Sequence, residues 1–444
     1  MRTTIFFLAG ISFLLLNERA FSQMSSNLSL DHQLKQKVID GVSKELLTNY
    51  VFEDTAHKMA TFLETRLQNG SYDSILDPVD FAGKLTADVR SIYFDHHLSV
   101  HYEPDLYVNL TSTTAKQADH AKEEFEQAKK ANFGFVKVEV LSGNIGYLKL
   151  NQFYTVDNYS RETVEASFKF LGHTNAVIID LRDNIGGEPE MVQLICSYFF
   201  DRKVHINDLF ERRANKTTSF ITTPVPETDL FKNKPLYILT SHGTFSAAEE
   251  FAYDLQTLKR AVVVGEITGG GAHPVAPFAI TNGFVAFVPY ERAINPVTKT
   301  NWEGIGVKPN IETGADTALD VALFHLYENI IKTSNDEQEI ASAQWQKNLL
   351  GLKLKPAIVA TAILKTYSGN FDGITVSFER DSLYFTTVKG HKSKLIPLSE
   401  TVMKRSDGDD DDIQIEFVKD QNNAVSKIAI HFNDGTSEYF MKKN

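Results

Sequence analysis

Apolar residues recur at helical spacing along the first part of the chain, from about residue 31 to residue 92. Leu34, Val38, Val42 and Leu46 lie three or four positions apart, which places their side chains on one face of a helix. The same spacing returns in Met59, Phe62, Leu63 and Leu67, and again in Phe81, Leu85 and Val89. The pattern predicts a small helical domain, which we assign to residues 23–110.

Between residues 133 and 335 the pattern changes to short apolar runs that alternate with helix-like stretches. Runs at 135–141 and 145–150 flank Ser142-Gly143-Asn144, a turn signal typical of a β-hairpin. Further strand-like runs lie at 176–181, 235–240 and 261–265, and the helix-like segments between them lie at 160–171, 188–200 and 246–258. This alternation predicts an α/β core with crossover connections.

Short alternating strands without long helices characterise residues 360–444. Runs such as 375–378, 382–385 and 427–432 predict a small antiparallel β domain, either a sandwich or a barrel. The acidic run from Asp407 to Asp412 lacks the alternation and the distal glutamate of a calcium loop, so we interpret it as a solvated turn. The sequence predicts neither a metal site nor a cofactor.

Residues 1–22 have the pattern of a secretory signal peptide. A basic start at Arg2 precedes the apolar run Ile5–Leu16, and small residues follow at Ala20 and Ser22. The apolar run is too short to span a membrane, which takes roughly 20 residues. We therefore expect an exported protein, periplasmic or extracellular. Its one cysteine, Cys196, allows no internal disulfide.

Length and charge restrict the classes of partner. The chain has 444 residues, too many for one ordinary core, and a formal net charge of −12. Nucleic acids and anionic membranes both require basic surfaces, so the sequence predicts no nucleic-acid partner and no membrane span. The oligomeric state stays open.

A serine lies at a predicted strand-to-helix turn. Ser246 follows the strand-like run 235–240 and opens the helix-like segment 246–258. There its hydroxyl would lie beside unpaired helix N–H groups, which stabilise the negative charge that develops during attack on a carbonyl. Ser246 equally fits a helix N-cap, with Glu249 completing a capping box. The local pattern alone leaves both interpretations open.

Three separated segments resemble a known family. Thr240–Phe251 contains Ser246, Arg260–Pro274 contains a glycine run, and Ala176–Gly187 ends in two glycines. In this order they resemble the S41 peptidases, which include the carboxy-terminal processing (tail-specific) proteases, the tricorn core protease and the repeats of interphotoreceptor retinoid-binding protein. The resemblance covers about residues 34–327. It implies a crotonase/ClpP-like ββα core.

Two departures from the tail-specific proteases refine the resemblance. Those enzymes carry a PDZ domain, but only about 35 residues separate His97 from the hairpin here, too few for such a domain. Their base is a lysine, and Gly271 holds the matching position. The layout is therefore more similar to the tricorn and retinoid-binding-protein branch.

That branch implies a histidine and a glutamate beside Ser246. Asp95-His96-His97-Leu98 matches the histidine motif, with His97 in the histidine position, and Glu303 matches the glutamate. Neutral imidazole can accept the serine proton near neutral pH, and turnover should fall as pH drops through the histidine pKa, expected at roughly 6 to 7. Glu303 would stabilise the imidazolium directly or through a bridging group.

The resemblance also implies an oxyanion hole and a substrate cleft. Gly186, Gly187 and the N–H of Ala247 would form the hole, because a side chain on the glycines would block the substrate carbonyl. Without the resemblance, the two glycines would be a tight turn after a buried strand. Gly270, Gly271 and His273 are candidates for the cleft, and His273 is the second candidate for the base.

These residues predict an exported serine peptidase that cleaves peptides or unfolded proteins through an acyl-enzyme. A non-catalytic carrier of an apolar ligand, such as a retinoid or lipid, is the alternative on the same scaffold. A crotonase-like enzyme acting on acyl thioesters is a third, which the predicted export disfavours. The substrate and the choice between internal and terminal cleavage stay open.

Overall fold

The computed structural model describes residues 30–407 and 413–443. The predicted signal peptide and most of the acidic run 407–412 lie outside these residues. The chain divides into two compact units. The first contains residues up to Glu139, Tyr147–His173 and Val177–Ala315, and the second contains Val140–Gly146, Thr174–Ala176 and the residues from Asp316 onward.

Helices predominate in residues 30–130, as the apolar spacing predicts. The elements described there are α1 (His32–Asn49), α2 (Glu53–Gln68), α3 (Pro78–Ile92), β1 (Ser99–Tyr102), α4 (Pro104–Thr111) and α5 (Thr114–Lys130). The Asp31 carboxylate caps α1 by accepting the Leu34 N–H at 2.8 Å. Asp77 caps α3 in the same way, with Pro78 in the first turn.

The α/β part of the chain alternates strands and helices. Its elements are β2 (Phe135–Leu141), β3 (Ile145–Leu150), α6 (Asn158–Leu171), β4 (Ala176–Asp180), α7 (Pro189–Cys196), β5 (His205–Glu211), β6 (Lys216–Ile221), α8 (Thr228–Phe231), β7 (Leu236–Thr240), α9 (Ala247–Thr257), β8 (Val262–Gly265), β9 (Val275–Thr281), β10 (Phe284–Pro289), β11 (Glu291–Ile294) and β12 (Ile311–Glu312).

A six-stranded sheet in the order β12-β8-β7-β4-β3-β2 forms the centre of this part. Strands β4, β7, β8 and β12 pair in parallel, and every residue of β4 and β7 is buried. Strands covered on both faces have nearly continuous apolar sequences, which is why the sequence pattern identifies them. The predicted α/β core is confirmed. The loops that follow β4, β7 and β8 leave the same edge of the sheet and contain Gly186, Ser246 and Gly271.

A second sheet, in the order β1-β10-β9, packs against the first three helices. Buried Phe284, Ala286 and Val288 of β10 share one core cluster with Val38 and Leu46 of α1. The helical region therefore completes its core with a hairpin that lies far along the chain. Helical periodicity gives no sign of this partner.

The register of this sheet brings two distant loops to one end. Ser99 of β1 lies opposite Phe287 of β10, and Val275 of β9 lies opposite Pro289 at the end of β10. The segments just before β1 and just before β9 therefore enter the sheet at the same end. The first contains His97, and the second contains residues 269–274.

A third sheet, β11-β5-β6, is antiparallel and was not predicted. Glu291 of β11 lies opposite Glu211 of β5, and Lys216 of β6 lies opposite Glu211 on the other side.

The second unit contains the C-terminal elements. These are α10 (Ala318–Thr333), α11 (Glu337–Leu354), α12 (Thr361–Thr366), β13 (Gly369–Phe371), β14 (Ile374–Glu379), β15 (Ser382–Thr386), β16 (Lys392–Pro397), β17 (Val402–Arg405), β18 (Gln414–Lys419), β19 (Val425–His431) and β20 (Ser437–Lys443). The strands form a closed barrel, because β13 pairs with both β14 and β20. Of the two architectures that the sequence allows, the barrel is therefore present, and closure leaves no unpaired edge strand. Within the described residues, no helix has both the length and the apolar character that crossing a membrane requires.

Candidate active site

Ser246 lies at the sharp turn between β7 and α9, as predicted. Its φ and ψ are 56° and −123°, a conformation that residues with a side chain rarely adopt. The Ser246 N–H donates to Glu249 Oε2 at 2.9 Å. Such strain is retained where the surrounding structure enforces it, often at functional sites. The turn therefore holds a serine at the sheet edge where the crossover loops meet.

The Gly186-Gly187 turn is tied to the Ser246 loop by hydrogen bonds. Asn184 O accepts the Phe245 N–H at 3.0 Å, and Asn184 Oδ1 accepts the Gly186 N–H at 2.9 Å. Phe153 fixes the other side of the turn, since its N–H donates to Gly186 O and its carbonyl accepts from Glu188 N, both at 2.8 Å. Within the described residues, no hydrogen bond engages the N–H of Gly187 or that of Ala247.

The two glycines exclude side chains for different reasons. A Cβ on Gly186, whose φ is 107°, would lie 2.7 Å from Ser246 Cβ and 3.0 Å from Ala247 N. A Cβ on Gly187 would instead lie 1.9 Å from Phe153 O. A side chain on Gly186 would therefore enter the space beside Ser246. At Gly187 the backbone of Phe153 is the obstacle.

His97 lies beside the Ser246 turn. Its ring is 4.7 Å, centroid to centroid, from that of Phe245, the residue before Ser246. The side chain is buried, and within the described part of the chain its Nδ1 has no hydrogen-bond partner. The neighbouring His96 is exposed and packs its ring against Phe94. Both adjacent histidines contact Phe245, since the His96 ring lies 6.0 Å from it edge to face, but His97 is the one that is buried there.

Gly271 contacts the same two rings. A Cβ at this position would lie 2.3 Å from the Phe245 ring and 2.6 Å from His97 Cε1. An added Cβ would therefore have to displace the ring of Phe245 or that of His97, so glycine at 271 permits the observed packing of both rings.

Glu303 lies in a buried cluster with Asp95 and His273. His273 Nδ1 is 2.8 Å from Asp95 Oδ2 and 3.4 Å from Glu303 Oε2. Asp95 also accepts the His97 N–H at 3.0 Å and the Tyr50 hydroxyl at 3.2 Å. Asp95 thus connects the backbone of His97 to the cluster. In chemical terms, Asp95, His273 and Glu303 are also the described residues that could hold a metal ion, because their ligand atoms lie within 4.8 Å of one another.

Glu249 ties the serine turn to the glycine turn. Besides the Ser246 N–H, its buried carboxylate accepts the N–H groups of Gly270 and Gly271 at 2.7 and 2.8 Å, and the hydroxyl of Thr268. The two glycines predicted for the substrate cleft thus hold a carboxylate with their backbone. The sequence suggested only a capping role for Glu249.

Two protein-family models match this chain. The model of peptidase family S41 matches residues 144–313, and the model of the N-terminal domain of S41 peptidases in eukaryotic interphotoreceptor retinoid-binding protein matches residues 17–142. The chain belongs to peptidase family S41. The first match contains Ser246 and Glu303, and the second contains His97.

Two curated relatives are processing proteases. The chain is 32% identical over 175 residues to carboxyl-terminal-processing peptidase 2, chloroplastic, of Arabidopsis thaliana, covering 38% of this chain and 32% of the relative. It is 26% identical over 179 residues to a carboxy-terminal-processing protease of Bartonella bacilliformis, covering 38% of this chain and 39% of the relative. The chain therefore spans about a third of the length of these relatives.

Solved structures with a similar arrangement include two proteases. The photosystem II D1 C-terminal processing protease has a TM-score of 0.44 at 13% identity, over 64% of this chain and 94% of that chain. The tricorn protease has a TM-score of 0.42 at 12% identity, over 67% of this chain and 37% of that chain.

Burial shifts the pKa values of His97 and Glu303 in opposite directions. It lowers the pKa of His97 to about 4, a shift that the nearby Asp95 carboxylate partly offsets. Burial and then the Asp95 charge raise the pKa of Glu303 to about 7, against the opposing effect of His273. His97 is therefore neutral across the neutral range, whereas Glu303 gains or loses a proton near pH 7.

Asp95, Tyr50 and Glu249 are contributors that sequence reasoning did not assign. Asp95 stands in the quoted histidine motif, and Glu249 stands three residues after Ser246, so each had a local signal. Tyr50 had none, because it reaches Asp95 from the end of α1, 45 residues earlier in the chain.

Proposed function

We propose that this S41 family chain is an exported serine peptidase that hydrolyses peptide bonds in peptides or unfolded proteins. Ser246 would be the nucleophile, His97 the general base and Glu303 the supporting carboxylate. The observation that carries the proposal is the position of the buried His97 ring. It packs against Phe245, next to Ser246, in the space that a side chain on Gly271 would take.

The first half of the proposed reaction is acylation. His97 Nε2 accepts the hydroxyl proton while Ser246 Oγ forms a bond to the scissile carbonyl carbon. The carbon–nitrogen bond then breaks, and the imidazolium returns the proton to the leaving amine. A neutral imidazole is required at the start, and the lowered pKa of His97 supports this role.

Two N–H groups are suited to hold the oxyanion of the tetrahedral intermediate. They are the N–H groups of Gly187 and Ala247, and neither donates a hydrogen bond within the described residues. The Gly186 N–H is less suited, because it already donates to Asn184. Gly186 would serve by leaving room beside Ser246.

Deacylation repeats the sequence with water. His97 takes a proton from a water molecule whose oxygen attacks the Ser246 ester, and the Ser246 oxygen leaves and recovers the proton. In each half the imidazolium needs a nearby negative charge. The buried, unpartnered atoms His97 Nδ1 and Glu303 Oε1 support this pairing, since one can donate and the other can accept.

The proposed substrate class rests on the family and on the elements between His97 and β2. The curated relatives act, by name, in carboxyl-terminal processing, but the chain matches only about a third of their length. The segment between His97 and β2 contains α4 and α5 rather than a PDZ domain. Peptides and unfolded proteins are therefore the proposed substrates, and the signal-like residues 1–22 support export.

The test is direct detection of the acyl-enzyme. We expect incubation with a short peptide ester, followed by rapid acid quench and mass spectrometry, to show one acyl group on Ser246. The Ser246→Ala variant should show neither the adduct nor hydrolysis while its unfolding midpoint stays close to that of the native protein. Hydrolysis that survives in Ser246→Ala would contradict the proposal. Complete inertness of the native protein toward esters and peptides would favour the carrier interpretation.

A further inference from the structure

His273 occupies a position between two carboxylates. Its ring is 1% exposed, and its Nδ1 lies 2.8 Å from Asp95 Oδ2 and 3.4 Å from Glu303 Oε2. The ring also meets Phe52 edge to face, with centroids 5.4 Å apart. A buried imidazole is thus fixed on one side by an aromatic ring and on the other by two oxygen atoms.

The charges explain why a donor is needed there. Asp95 is buried and the Glu303 side chain is 5% exposed, and two carboxylates that approach the same atom would repel each other strongly in a medium of low dielectric constant. An N–H placed between them satisfies the nearer oxygen with a hydrogen bond and lowers the repulsion of the other. The 2.8 Å distance is that of a charge-assisted hydrogen bond.

One partner of His273 contacts His97 directly, and the other is the proposed supporting carboxylate of His97. Asp95 uses its other oxygen, Oδ1, to accept the His97 N–H at 3.0 Å. Glu303 is held by the Ala272 N–H at 2.6 Å, and its remaining oxygen is the buried, unpartnered Oε1. His273 therefore joins the carboxylate that fixes the His97 backbone to the carboxylate that would face the imidazolium.

We propose that His273 is a positioning residue of the peptidase, which joins Asp95 to Glu303 and thereby sets the position of His97. The inference rests on the proposed function of this site. His273 acts through Asp95 and Glu303, and within the described residues its polar contacts are with these two carboxylates and not with Ser246. This assigns the second candidate base a role distinct from that of His97.

A metal ion is the competing explanation of the cluster. Two ligands at 2.0 to 2.1 Å from a tetrahedral zinc ion would lie about 3.3 Å apart, farther than the 2.8 Å between His273 Nδ1 and Asp95 Oδ2. The observed distance favours the hydrogen bond.

The test compares two substitutions that differ in one donor. In His273→Asn the amide nitrogen can take the place of Nδ1, whereas His273→Leu has similar bulk and no donor. With a short peptide, we expect His273→Leu to lower kcat by about 100-fold with KM nearly unchanged, because displacement of a catalytic group costs about this factor. His273→Asn should recover most of the loss. His101→Leu, at a half-buried histidine on β1, is the control and should keep native kcat.

Three results would overturn the inference: native kcat in His273→Leu, a loss confined to KM, or an equal loss in Leu and Asn variants whose unfolding midpoints match. If His273→Leu does not fold, His273→Ala takes its place as the variant without a side-chain donor, and the same comparison with His273→Asn applies. Loss of activity on dialysis against a chelator, restored by zinc, would also overturn it. Ser246→Ala separates this inference from the proposed function. Peptide hydrolysis that survives in Ser246→Ala would contradict the peptidase proposal, whatever the effect of the His273 substitutions.

Discussion

The Cε1 atom of His97 lies 2.6 Å from the position that a Cβ on Gly271 would occupy. Phe245 packs against the same two residues, so the serine turn, the glycine turn and the histidine meet at one point. This contact links two observations that are separate in the sequence, the absence of a lysine at 271 and the presence of a histidine at 97. Glycine at 271 permits the observed contact, because a side chain there would have to displace the ring of Phe245 or that of His97.

Substitution of Gly271 tests this relationship. In Gly271→Ala the added methyl group must displace the ring of Phe245 or that of His97. We expect kcat/KM to fall by about 100-fold, since displacement of a catalytic group by about 1 Å costs this much. The control is Gly83→Ala in α3, where a Cβ would meet nothing within 4 Å. Native turnover in a folded Gly271→Ala protein would show that His97 does not need its observed position.

Gly186 tests the space beside Ser246. A Cβ there would lie 2.7 Å from Ser246 Cβ and 3.0 Å from Ala247 N, where the oxyanion is proposed to bind. We expect Gly186→Ala to lower kcat by about 100- to 1,000-fold, the usual effect of losing an oxyanion contact, with a smaller change in KM. Steady-state kinetics and the unfolding midpoint are the measurements. Equal losses in kcat and in affinity would indicate a distorted cleft instead.

The pH dependence should follow Glu303 rather than His97. The sequence places the acidic limb at an ordinary histidine pKa, but burial lowers the pKa of His97 to about 4. Burial raises the pKa of Glu303 to about 7, and a protonated Glu303 no longer offers a negative charge to the imidazolium. We therefore expect kcat/KM to fall as pH decreases through about 7, and a second fall near pH 4.

Glu303→Gln separates the groups that titrate near pH 7. The variant should be much less active and should lose the limb near pH 7, because an amide does not titrate. Burial also raises the pKa of Glu249 to about 7, so Glu249→Gln is the necessary comparison. If the decrease in kcat/KM near pH 7 persists in Glu303→Gln and disappears in Glu249→Gln, the titrating group is Glu249 at the serine turn.

A buried carboxylate on α9 should make stability depend on pH. Burial raises the pKa of Glu250 to about 7, and its Oε1 has no partner within the described residues. The folded state then binds more protons than the unfolded state between pH 4.5 and 7, so this contribution to stability declines as pH rises and is fully lost above 7.

Removal of that carboxylate should stabilise the protein at high pH. We expect Glu250→Gln to raise the free energy of unfolding at pH 8 by on the order of 3 kcal/mol, because each pKa unit corresponds to about 1.36 kcal/mol. Near pH 4.5 the gain should vanish. Denaturant titrations at both pH values test this, with Glu64→Gln at an exposed position of α2 as the control. A gain of equal size at both pH values would exclude titration as its cause.

Elements with a strong local pattern were predictable from the sequence. The buried strands β4 and β7 have continuous apolar runs, and the turn at Ser246 lies between a strand pattern and a helix pattern. The first three helices follow their apolar spacing for the same reason. These features depend on neighbours in the chain, which periodicity reports.

Contacts between distant segments were not predictable in the same way. His273 and Asp95 are 178 residues apart and meet because β1 and β9 flank β10 in one sheet. The different obstacles at Gly186 and Gly187 depend on Phe153, which pairs with the turn from another loop. The family resemblance supplied Ser246, His97 and Glu303 as candidate positions. Neither the lowered pKa of His97 nor the cluster of Asp95, His273 and Glu303 follows from a motif.

We infer that the imidazole of His97 activates Ser246. The most direct measurement is the rate at which a fluorophosphonate modifies Ser246, followed by mass spectrometry of the labelled peptide at neutral pH. We expect rapid labelling of Ser246 in the native protein and in His96→Ala, because the native His96 side chain is exposed. In a folded His97→Ala protein the rate should fall by at least about 100-fold, the lower end of what a general base contributes. Labelling of Ser246 in His97→Ala at the native rate would show that His97 does not activate Ser246.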